Sequence, residues 1–219
     1  MEIYLASANP DEIKKAYNFP IAGVLTNSSI IKKEQRVFPD LVKEIDQIGN
    51  LPFGLQIAAT EEAEMMREAQ MFHSLLHNRM LHLKIPYCPD AFKVITRLHS
   101  TGITLNLTGV SNLSQAMLAL HSGIDYLSIY VGRVTDAGGD GVQLVKDIKQ
   151  LAENYQSPTR IVAASIRSLE HLDEVALAGA DAVAIPFPLL LQTMQSSVTD
   201  QSINGFKEDW QEVDLGDQS

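Results

Sequence analysis

Lys84 lies near the end of an apolar run, residues 80–86, which predicts a buried strand that Pro86 ends. A lysine in such a segment loses hydration of its ammonium group, which lowers its pKa and favours the neutral amine. Neutral amines of this kind attack carbonyl groups to form Schiff bases. The alternative is a lysine whose ammonium group reaches water at the rim of the sheet, and Lys84 alone does not decide between the two.

Two arginines suggest a binding site for an anion. Arg133 and Arg167 each follow a predicted strand in adjacent units, and guanidinium groups bind phosphate through paired, charge-assisted hydrogen bonds. Either could be a surface ion pair, but equivalent places at neighbouring strand ends favour a shared site. Ser168 is predicted to cap the helix that follows, whose free amide groups would add to the same site.

The glycine-rich segment 136–141 does not match a phosphate-binding loop, so it predicts a flexible connection after the sixth strand, with Asp140 capping the next helix.

The remaining reactive side chains do not predict a metal site. His73 and His77 are predicted to lie four residues apart on one helix, but no carboxylate or cysteine cluster completes a ligand set. A zinc-dependent aldol mechanism is therefore unsupported, and no metal or organic cofactor is expected. Cys88 is the only cysteine, so no internal disulfide can form and a reducing compartment fits. It is predicted to be a buried or half-buried structural thiol.

Composition narrows the class of protein. The chain has 219 residues, 45% of them hydrophobic, and a net charge of −10. That length allows one sizeable core and nothing resembles a linker, so a single domain over 1–219 is predicted. The negative charge argues against nucleic acid and anionic membranes as partners. The first residues lack the pattern of a signal peptide, and no apolar stretch approaches about 20 residues, so a cytoplasmic location is expected.

The elements that must position these residues follow a repeated pattern. Eight short apolar runs alternate with amphipathic segments: 2–7, 22–26, 52–58, 79–86, 103–109, 126–132, 160–166 and 182–187. Such alternation predicts a compact (β/α)₈ barrel, with a doubly wound open sheet as the alternative. Predicted helices include 112–122 and 140–154; Asn9 begins the first helix and Thr60 the third. Residues 203–213, which contain Phe206 and Trp210, predict an extra amphipathic helix that packs on the barrel or on a neighbouring subunit.

A barrel would bring the polar residues together, because its chemistry lies at the carboxyl ends of the strands. The polar side chains at or near the predicted ends are Thr26, Asn27, Gln56, Lys84, Thr108, Ser128, Tyr130, Arg133, Ser165 and Arg167. One lysine and two arginines then share one mouth. That combination favours a Schiff-base lysine over a surface lysine.

The chain resembles the transaldolase family, and within it the short, fructose-6-phosphate aldolase-like branch. The resemblance spans roughly residues 1–213 and is carried by EIYLASAN, AGVLTNSSII, LKIP, YVGRVTDAGGDG and AASIRS. It implies a barrel, a Schiff-base lysine at Lys84, and a phosphate held by Arg133, Ser165 and Arg167. It places Asn27 against the substrate, with Thr26 and Ser128 grouped as further binding residues. It also suggests a homo-oligomeric ring, a pentamer or decamer.

Two positions favour the aldolase branch. Transaldolases proper tend to carry glutamate on the third strand and phenylalanine on the sixth, where this chain has Gln56 and Tyr130, as the aldolases do. A tyrosine can move a proton, with Gln56 and Thr108 holding a water. The resemblance thus implies a class I aldolase, an aldehyde-lyase that joins a hydroxyketone such as dihydroxyacetone to a phosphorylated aldehyde such as glyceraldehyde 3-phosphate. The alternatives are a transaldolase and a weakly active or non-catalytic sugar-phosphate binding protein.

Ala6 departs from the family pattern, which places an aspartate at the end of the first strand. In transaldolases that aspartate takes a proton from the hydroxyl beside the breaking bond, and without it the mouth lacks an obvious carboxylate base. Three interpretations remain open. Tyr130 and a water carry the proton with altered donor preference, the substrate differs, or the protein binds a sugar phosphate without rapid turnover.

Overall fold

The computed structural model, which describes residues 1–213, contains one closed parallel barrel with the strands in chain order. The strands are β1 (Glu2–Leu5), β2 (Gly23–Leu25), β3 (Phe53–Gln56), β4 (Leu81–Pro86), β5 (Thr104–Val110), β6 (Tyr126–Tyr130), β7 (Arg160–Ala164) and β8 (Ala182–Ile185). The barrel closes where β1 pairs with β8, with Ile3 opposite Val183. The (β/α)₈ prediction is confirmed, and the open sheet is excluded.

Helices alternate with the strands around the outside of the barrel. They are α1 (Pro10–Ala16), α2 (Ser28–Lys33), α3 (Phe38–Ile48), α4 (Glu62–Leu75), α5 (Pro89–Leu98), α6 (Leu113–Leu120), α7 (Val131–Asp136), α8 (Gly141–Asn154), α9 (Leu169–Leu177), α10 (Phe187–Gln192) and α11 (Ser197–Gln211). The side chains of Asn9, Asp140 and Ser168 cap α1, α8 and α9 by accepting hydrogen bonds from backbone amides. These three caps confirm the sequence predictions.

Several predicted boundaries near the sixth strand are wrong. β6 ends at Tyr130 because Val131 begins α7, so Arg133 lies on a short helix instead of at a strand end. Residues 137–140 consequently join α7 to α8, where the sequence predicted a connection directly after the strand. A short segment such as residues 131–134 is compatible with a strand and with a helix about equally, so its sequence pattern did not predict the helix.

The third predicted helix also differs in detail. It corresponds to α4, whose N-cap is Glu61 and not Thr60, and no side chain caps it. His73 lies on α4, whereas His77 follows the end of the helix, so the two histidines do not share one helix face as predicted. Both histidines are exposed on the protein surface.

The predicted C-terminal helix is present as α11 and begins six residues earlier than expected, with Ser196 as its cap. None of its residues is buried, and Phe206 and Trp210 are 69% and 63% exposed. Residues 214–219 of the predicted domain lie outside the described part of the chain. Within residues 1–213, no helix is long and apolar enough to cross a membrane.

The barrel interior is asymmetric near the carboxyl ends of the strands. Alternate residues of each strand point inward. The first, seventh and eighth units contribute Ala6, Ala164 and Ala184, whereas β4 and β5 contribute Lys84 and Asn106. Small side chains on one side leave a cavity into which a long side chain from the other can extend.

A β-bulge lies close to this end of the barrel. The register between β5 and β6 shifts between Thr108 and Val110, where Gly109 has φ 92°. Glycine adopts this left-handed conformation at no steric cost. Bulges re-aim neighbouring side chains and recur beside active sites, and this one follows Thr108 directly.

Candidate active site

Lys84 is a buried amine at the centre of the strand ends. Its side chain is 6% exposed, and Nζ donates a hydrogen bond of 3.1 Å to the carbonyl oxygen of Thr26. The hydroxyl group of Thr26 in turn donates a hydrogen bond of 2.6 Å to the carbonyl oxygen of Gly54. Lys84 therefore crosses from β4 to the end of β2 and is anchored there.

Burial, together with the smaller effect of the positive charge of Arg133, lowers the pKa of Lys84 from 10.5 to about 8. Both effects disfavour the ammonium form, the first by removing water and the second by repulsion between like charges. With a pKa of about 8, roughly one lysine in ten is a free amine at pH 7. Lys84 has the ionisation behaviour of a nucleophile for carbonyl compounds.

A cavity of about 150 Å³ surrounds the lysine amine. Six predicted site residues line it, namely Thr26, Asn27, Lys84, Tyr130, Arg133 and Ser165, together with Ala6, Leu25, Ile30, Ala164, Ile166, Ala184 and Pro186. None of these lining residues carries a carboxylate. The cavity thus combines an amine, a phenol and a guanidinium group with a wall of small apolar side chains.

Tyr130 and Arg133 form one unit at the mouth. The guanidinium carbon of Arg133 lies 4.4 Å from the centre of the Tyr130 ring, which is a cation–π contact. The contact exists because Tyr130 ends β6 and Arg133 lies on the first turn of α7. It holds the positive charge of Arg133 next to the cavity.

Ser165 also lines the cavity, and its backbone has an unusual conformation. Its φ of 65° is left-handed, which is uncommon for a residue with a Cβ atom. Gly132 allows this arrangement, because a Cβ atom there would overlap the carbonyl oxygen of Ser165 and lie 3.1 Å from Nε of Arg167. The loop after β7 therefore packs directly against the first turn of α7.

Arg167 is at the rim and does not line the cavity. Its guanidinium group makes two hydrogen bonds to the carboxylate of Asp136, one of them from Nη1 to Oδ1 at 2.6 Å. Both side chains are about half exposed. The pair raises the pKa of Arg167 and lowers the pKa of Asp136, chiefly through this hydrogen bonding. In this structure the two hydrogen bonds from Arg167 are therefore made to Asp136, an ion pair at the rim.

Gln56 and Thr108 flank the lysine but do not line its cavity. Gln56 pairs in register with Lys84, and Thr108 pairs with Pro86. The Gln56 Oε1 and Thr108 Oγ1 atoms are buried and have no hydrogen-bond partner among the described residues. Gln56 lines an adjoining cavity of about 300 Å³, which shares Thr26 and Asn27 with the first.

Sequence reasoning missed His82 and Asn106, which form a polar layer below the lysine together with the predicted site residue Ser128. Ser128 Oγ donates to Asn106 Oδ1 at 2.8 Å, and Asn106 Nδ2 lies 3.0 Å from His82 Nε2. The available signal was the spacing of His82 and Lys84, because residues two apart on a strand share a face. Asp136 was also missed as a partner of Arg167, since nothing in the sequence links the two.

Other features of the molecule lie apart from this site. No three His, Cys, Asp or Glu residues within 1–213 stand close enough to hold a metal ion. Cys88 is half-buried and is the N-cap residue just before α5, which agrees with the predicted half-buried thiol. A larger groove of about 820 Å³ lies between α8 and α9 on the outer wall, away from the lysine.

Comparison with known proteins identifies relatives over nearly the whole chain. A family model described as "Transaldolase/Fructose-6-phosphate aldolase" matches residues 3–216. The chain is 38% identical over 214 residues to a "Probable transaldolase" of Aquifex aeolicus, covering 97% of this chain and 98% of that protein. It is 40% identical over 212 residues to a "Probable transaldolase" of Carboxydothermus hydrogenoformans, covering 96% and 98%.

A solved structure gives an independent comparison of the fold. The thiamine phosphate pyrophosphorylase of Pyrococcus furiosus aligns with a TM-score of 0.57 over 84% of this chain and 85% of that chain. The two sequences are 13% identical. At that identity the likeness concerns the barrel alone.

Proposed function

We propose that this chain, which belongs to the transaldolase/fructose-6-phosphate aldolase family, is a class I aldolase of the fructose-6-phosphate aldolase type. It cleaves and forms the bond between a hydroxyketone such as dihydroxyacetone and a phosphorylated aldehyde such as glyceraldehyde 3-phosphate. The observation that carries the proposal is the Lys84 amine, whose pKa is lowered to about 8 in a cavity whose lining residues include no carboxylate. A buried amine in that state is suited to Schiff-base formation.

The donor half of the reaction takes place on Lys84. Its neutral nitrogen adds to the ketone carbon, and loss of water gives an iminium ion. The positive nitrogen acidifies the neighbouring carbon, whose proton leaves to give an enamine. Tyr130 accepts that proton with a water held by Gln56 and Thr108. The unpartnered oxygens of Gln56 and Thr108 support this role, because each can bond to a water.

The acceptor half uses the arginines. The enamine carbon attacks the aldehyde carbon, the new alkoxide takes a proton, and hydrolysis of the iminium ion frees Lys84. Arg133 binds the phosphate of the aldehyde, supported by its place at the cavity, with Ser165 and Asn27 beside it. Arg167 joins them after its ion pair with Asp136 opens, because the Asp136 carboxylate and the substrate phosphate compete for the same guanidinium group.

Transaldolase activity is the second candidate, favoured by the names of the relatives. It differs only in the fate of the enamine, which passes to a second aldose instead of being released as a free ketone. Gln56 and Tyr130 favour the aldolase, by resemblance to that branch. Incubation with a ketose phosphate, with and without an acceptor aldose, separates the two. Release of free dihydroxyacetone without acceptor supports the aldolase, and carbon transfer only in its presence supports the transaldolase.

Borohydride trapping tests the Schiff base itself. Intact mass after reduction with fructose 6-phosphate or dihydroxyacetone should rise by one reduced adduct, and Lys84→Met should abolish that rise while the fold remains. The exposed Lys43 provides the matched control, because Lys43→Met should trap normally. Trapping that persists in Lys84→Met would overturn the proposal. No trapping in the parent protein with any ketose would favour the non-catalytic sugar-phosphate binder that Ala6 leaves open.

Phosphate binding has its own test. Arg167→Ala should raise the KM for glyceraldehyde 3-phosphate roughly tenfold or more, since a charge-assisted contact is worth about 1.5–3 kcal/mol. The KM for unphosphorylated glyceraldehyde should change little. An equal loss for both aldehydes would mean that Arg167 is structural.

We also propose assembly into a homo-oligomeric ring in the cytoplasm. The support for assembly is the apolar face of α11, where Ile203, Phe206 and Trp210 are exposed and follow helical spacing. Sedimentation of the full chain tests it. A Trp210→Glu variant should dissociate, and a monomeric parent protein would refute the assembly.

A further inference from the structure

A side pocket opens next to the lysine cavity, and the aldol steps above do not use its apolar walls. It is the adjoining cavity of about 300 Å³, a volume at the lower end of the range for small-molecule sites. Elements α2, α3, α4 and β3 supply its apolar lining residues, which are Ile31, Phe38, Leu55, Met71 and Phe72. The ring centres of Phe38 and Phe72 lie 5.6 Å apart. The pocket can therefore surround an aliphatic or aromatic group.

The side pocket and the lysine cavity share a wall. Thr26 and Asn27 line both, and the carbonyl oxygen of Thr26 accepts the 3.1 Å hydrogen bond from Nζ of Lys84. The side pocket therefore begins one residue away from the nitrogen that would carry a ketone. The Thr26 hydroxyl is already bonded to the Gly54 carbonyl oxygen, and Oδ1 of Asn27 accepts from the Ile30 amide at 2.9 Å. An apolar chain that crosses this boundary does not break either hydrogen bond.

The charged residues of the side pocket do not form an anion site. Lys32 is exposed on α2, so water screens its charge. Oε2 of Glu68 accepts hydrogen bonds from the backbone amides of Ala58 at 2.7 Å and Ala59 at 3.3 Å, which holds the segment after β3 against α4. A phosphate in this pocket would meet the Glu68 carboxylate, whereas an uncharged group would not be repelled. The pocket consequently suits an apolar substituent better than a phosphorylated one.

We propose that the side pocket binds the alkyl chain of a ketone donor attached to Lys84, so that the protein takes hydroxyketones with an apolar tail of several carbons. The donor is the substrate bonded to the lysine nitrogen, and that nitrogen lies against Thr26, the residue common to both cavities. A chain on the donor thus has the shortest route into the pocket. The inference rests on the proposed Schiff-base function and names a class of substrate for the same lysine.

The test measures borohydride trapping by the full chain with 1-hydroxy-2-alkanones of increasing length, from hydroxyacetone to 1-hydroxy-2-octanone. The trapping rate is taken at sub-saturating ketone, where it reports on binding and iminium formation together. It should rise roughly two- to fourfold with each added methylene group, the factor that burial of one such group gives. The rise should stop at the chain length that fills the pocket.

Two variants relate this length dependence to the side pocket. Phe38→Ala enlarges the pocket, so the best chain length should increase. Met71→Glu places a charge beside the chain, so the preference for the best long ketone over hydroxyacetone should fall roughly tenfold. Met117→Glu is the matched control, because Met117 lies on α6 outside the pocket and is 44% exposed against 42% for Met71. This control should keep the length dependence of the parent protein.

Three results would overturn the inference. Trapping that does not rise with chain length would mean that the pocket is closed to the ketone, for instance because a side chain of a second copy fills it. A length dependence that Met71→Glu leaves unchanged would place the chain elsewhere, and this variant at an exposed position decides the matter even if Phe38→Ala folds poorly. An equal loss in Met117→Glu would show a general effect of charge. Failure of the proposed function is distinct, because the parent protein would then trap neither hydroxyacetone nor dihydroxyacetone.

Discussion

Replacing Lys84 by methionine should stabilise the protein, and the gain should depend on pH. The folded protein holds the pKa of Lys84 near 8 against 10.5 for an exposed lysine, which costs the folded state about 3 kcal/mol at pH values below both pKa values. Below pH 8 the lysine is protonated in both states, so the cost is complete. Between pH 8 and 10.5 the folded protein has lost a proton that the unfolded chain still binds, so the cost falls towards zero.

Methionine has a similar length and no charge, so Lys84→Met removes this term at every pH. The variant also loses the hydrogen bond to Thr26, which costs about 0.5–1.5 kcal/mol at every pH. The net gain at pH 7 is therefore about 1.5–2.5 kcal/mol.

Urea unfolding at pH 7 and at pH 10.5 measures the effect, with Lys43→Met as the exposed control. The stability difference between Lys84→Met and the parent should change by about 3 kcal/mol between the two pH values. The control should show no such change. A difference that is the same at both pH values would refute the argument that burial sets the ionisation of Lys84.

Three further predictions follow from the geometry of the mouth. Arg133→Gln removes a charge that lowers the pKa of Lys84, so the acid limb of the trapping rate should move to higher pH; a limb that stays near pH 8 would contradict this. Gly132→Ala should displace Ser165 and raise the KM for phosphorylated aldehydes more than for unphosphorylated ones, whereas unchanged kinetics would show that the loop yields. Tyr130→Phe should lower kcat by about 10²–10⁴, and Ala6→Asp should raise activity only on hydroxylated donors. Steady-state kinetics on dihydroxyacetone and propanone test both, and an unchanged kcat in Tyr130→Phe or unchanged activity of Ala6→Asp on both donors would contradict them.

The barrel and the lysine could be predicted from the sequence because both depend on local pattern. Apolar runs of strand length alternate with amphipathic segments eight times, and few folds bury such a pattern. The prediction of Lys84 as a site residue follows from the same pattern, because a charged side chain within a buried strand is unusual. The caps Asn9, Asp140 and Ser168 were also predictable, because a cap acts on its immediate neighbours.

The parts that were not predictable depend on contacts between distant segments. The sequence cannot show that Asp136 pairs with the guanidinium group of Arg167, which lies 31 residues away. Nor does it show that His82 and Ser128 meet through Asn106, which requires the register of three strands. Arg133 was placed wrongly for a local reason, because residues 131–134 fit a strand and a helix about equally.

The left-handed backbone of Ser165 has a consequence for attempts to make this protein more heat-resistant. A residue with a Cβ atom pays about 1 kcal/mol or more for such a conformation, and glycine does not. Ser165→Gly is therefore among the substitutions that selection for thermal resistance alone would enrich. The same substitution removes a hydroxyl from the cavity wall, so a library ranked only by melting temperature would lose the group that we propose lies beside the substrate phosphate.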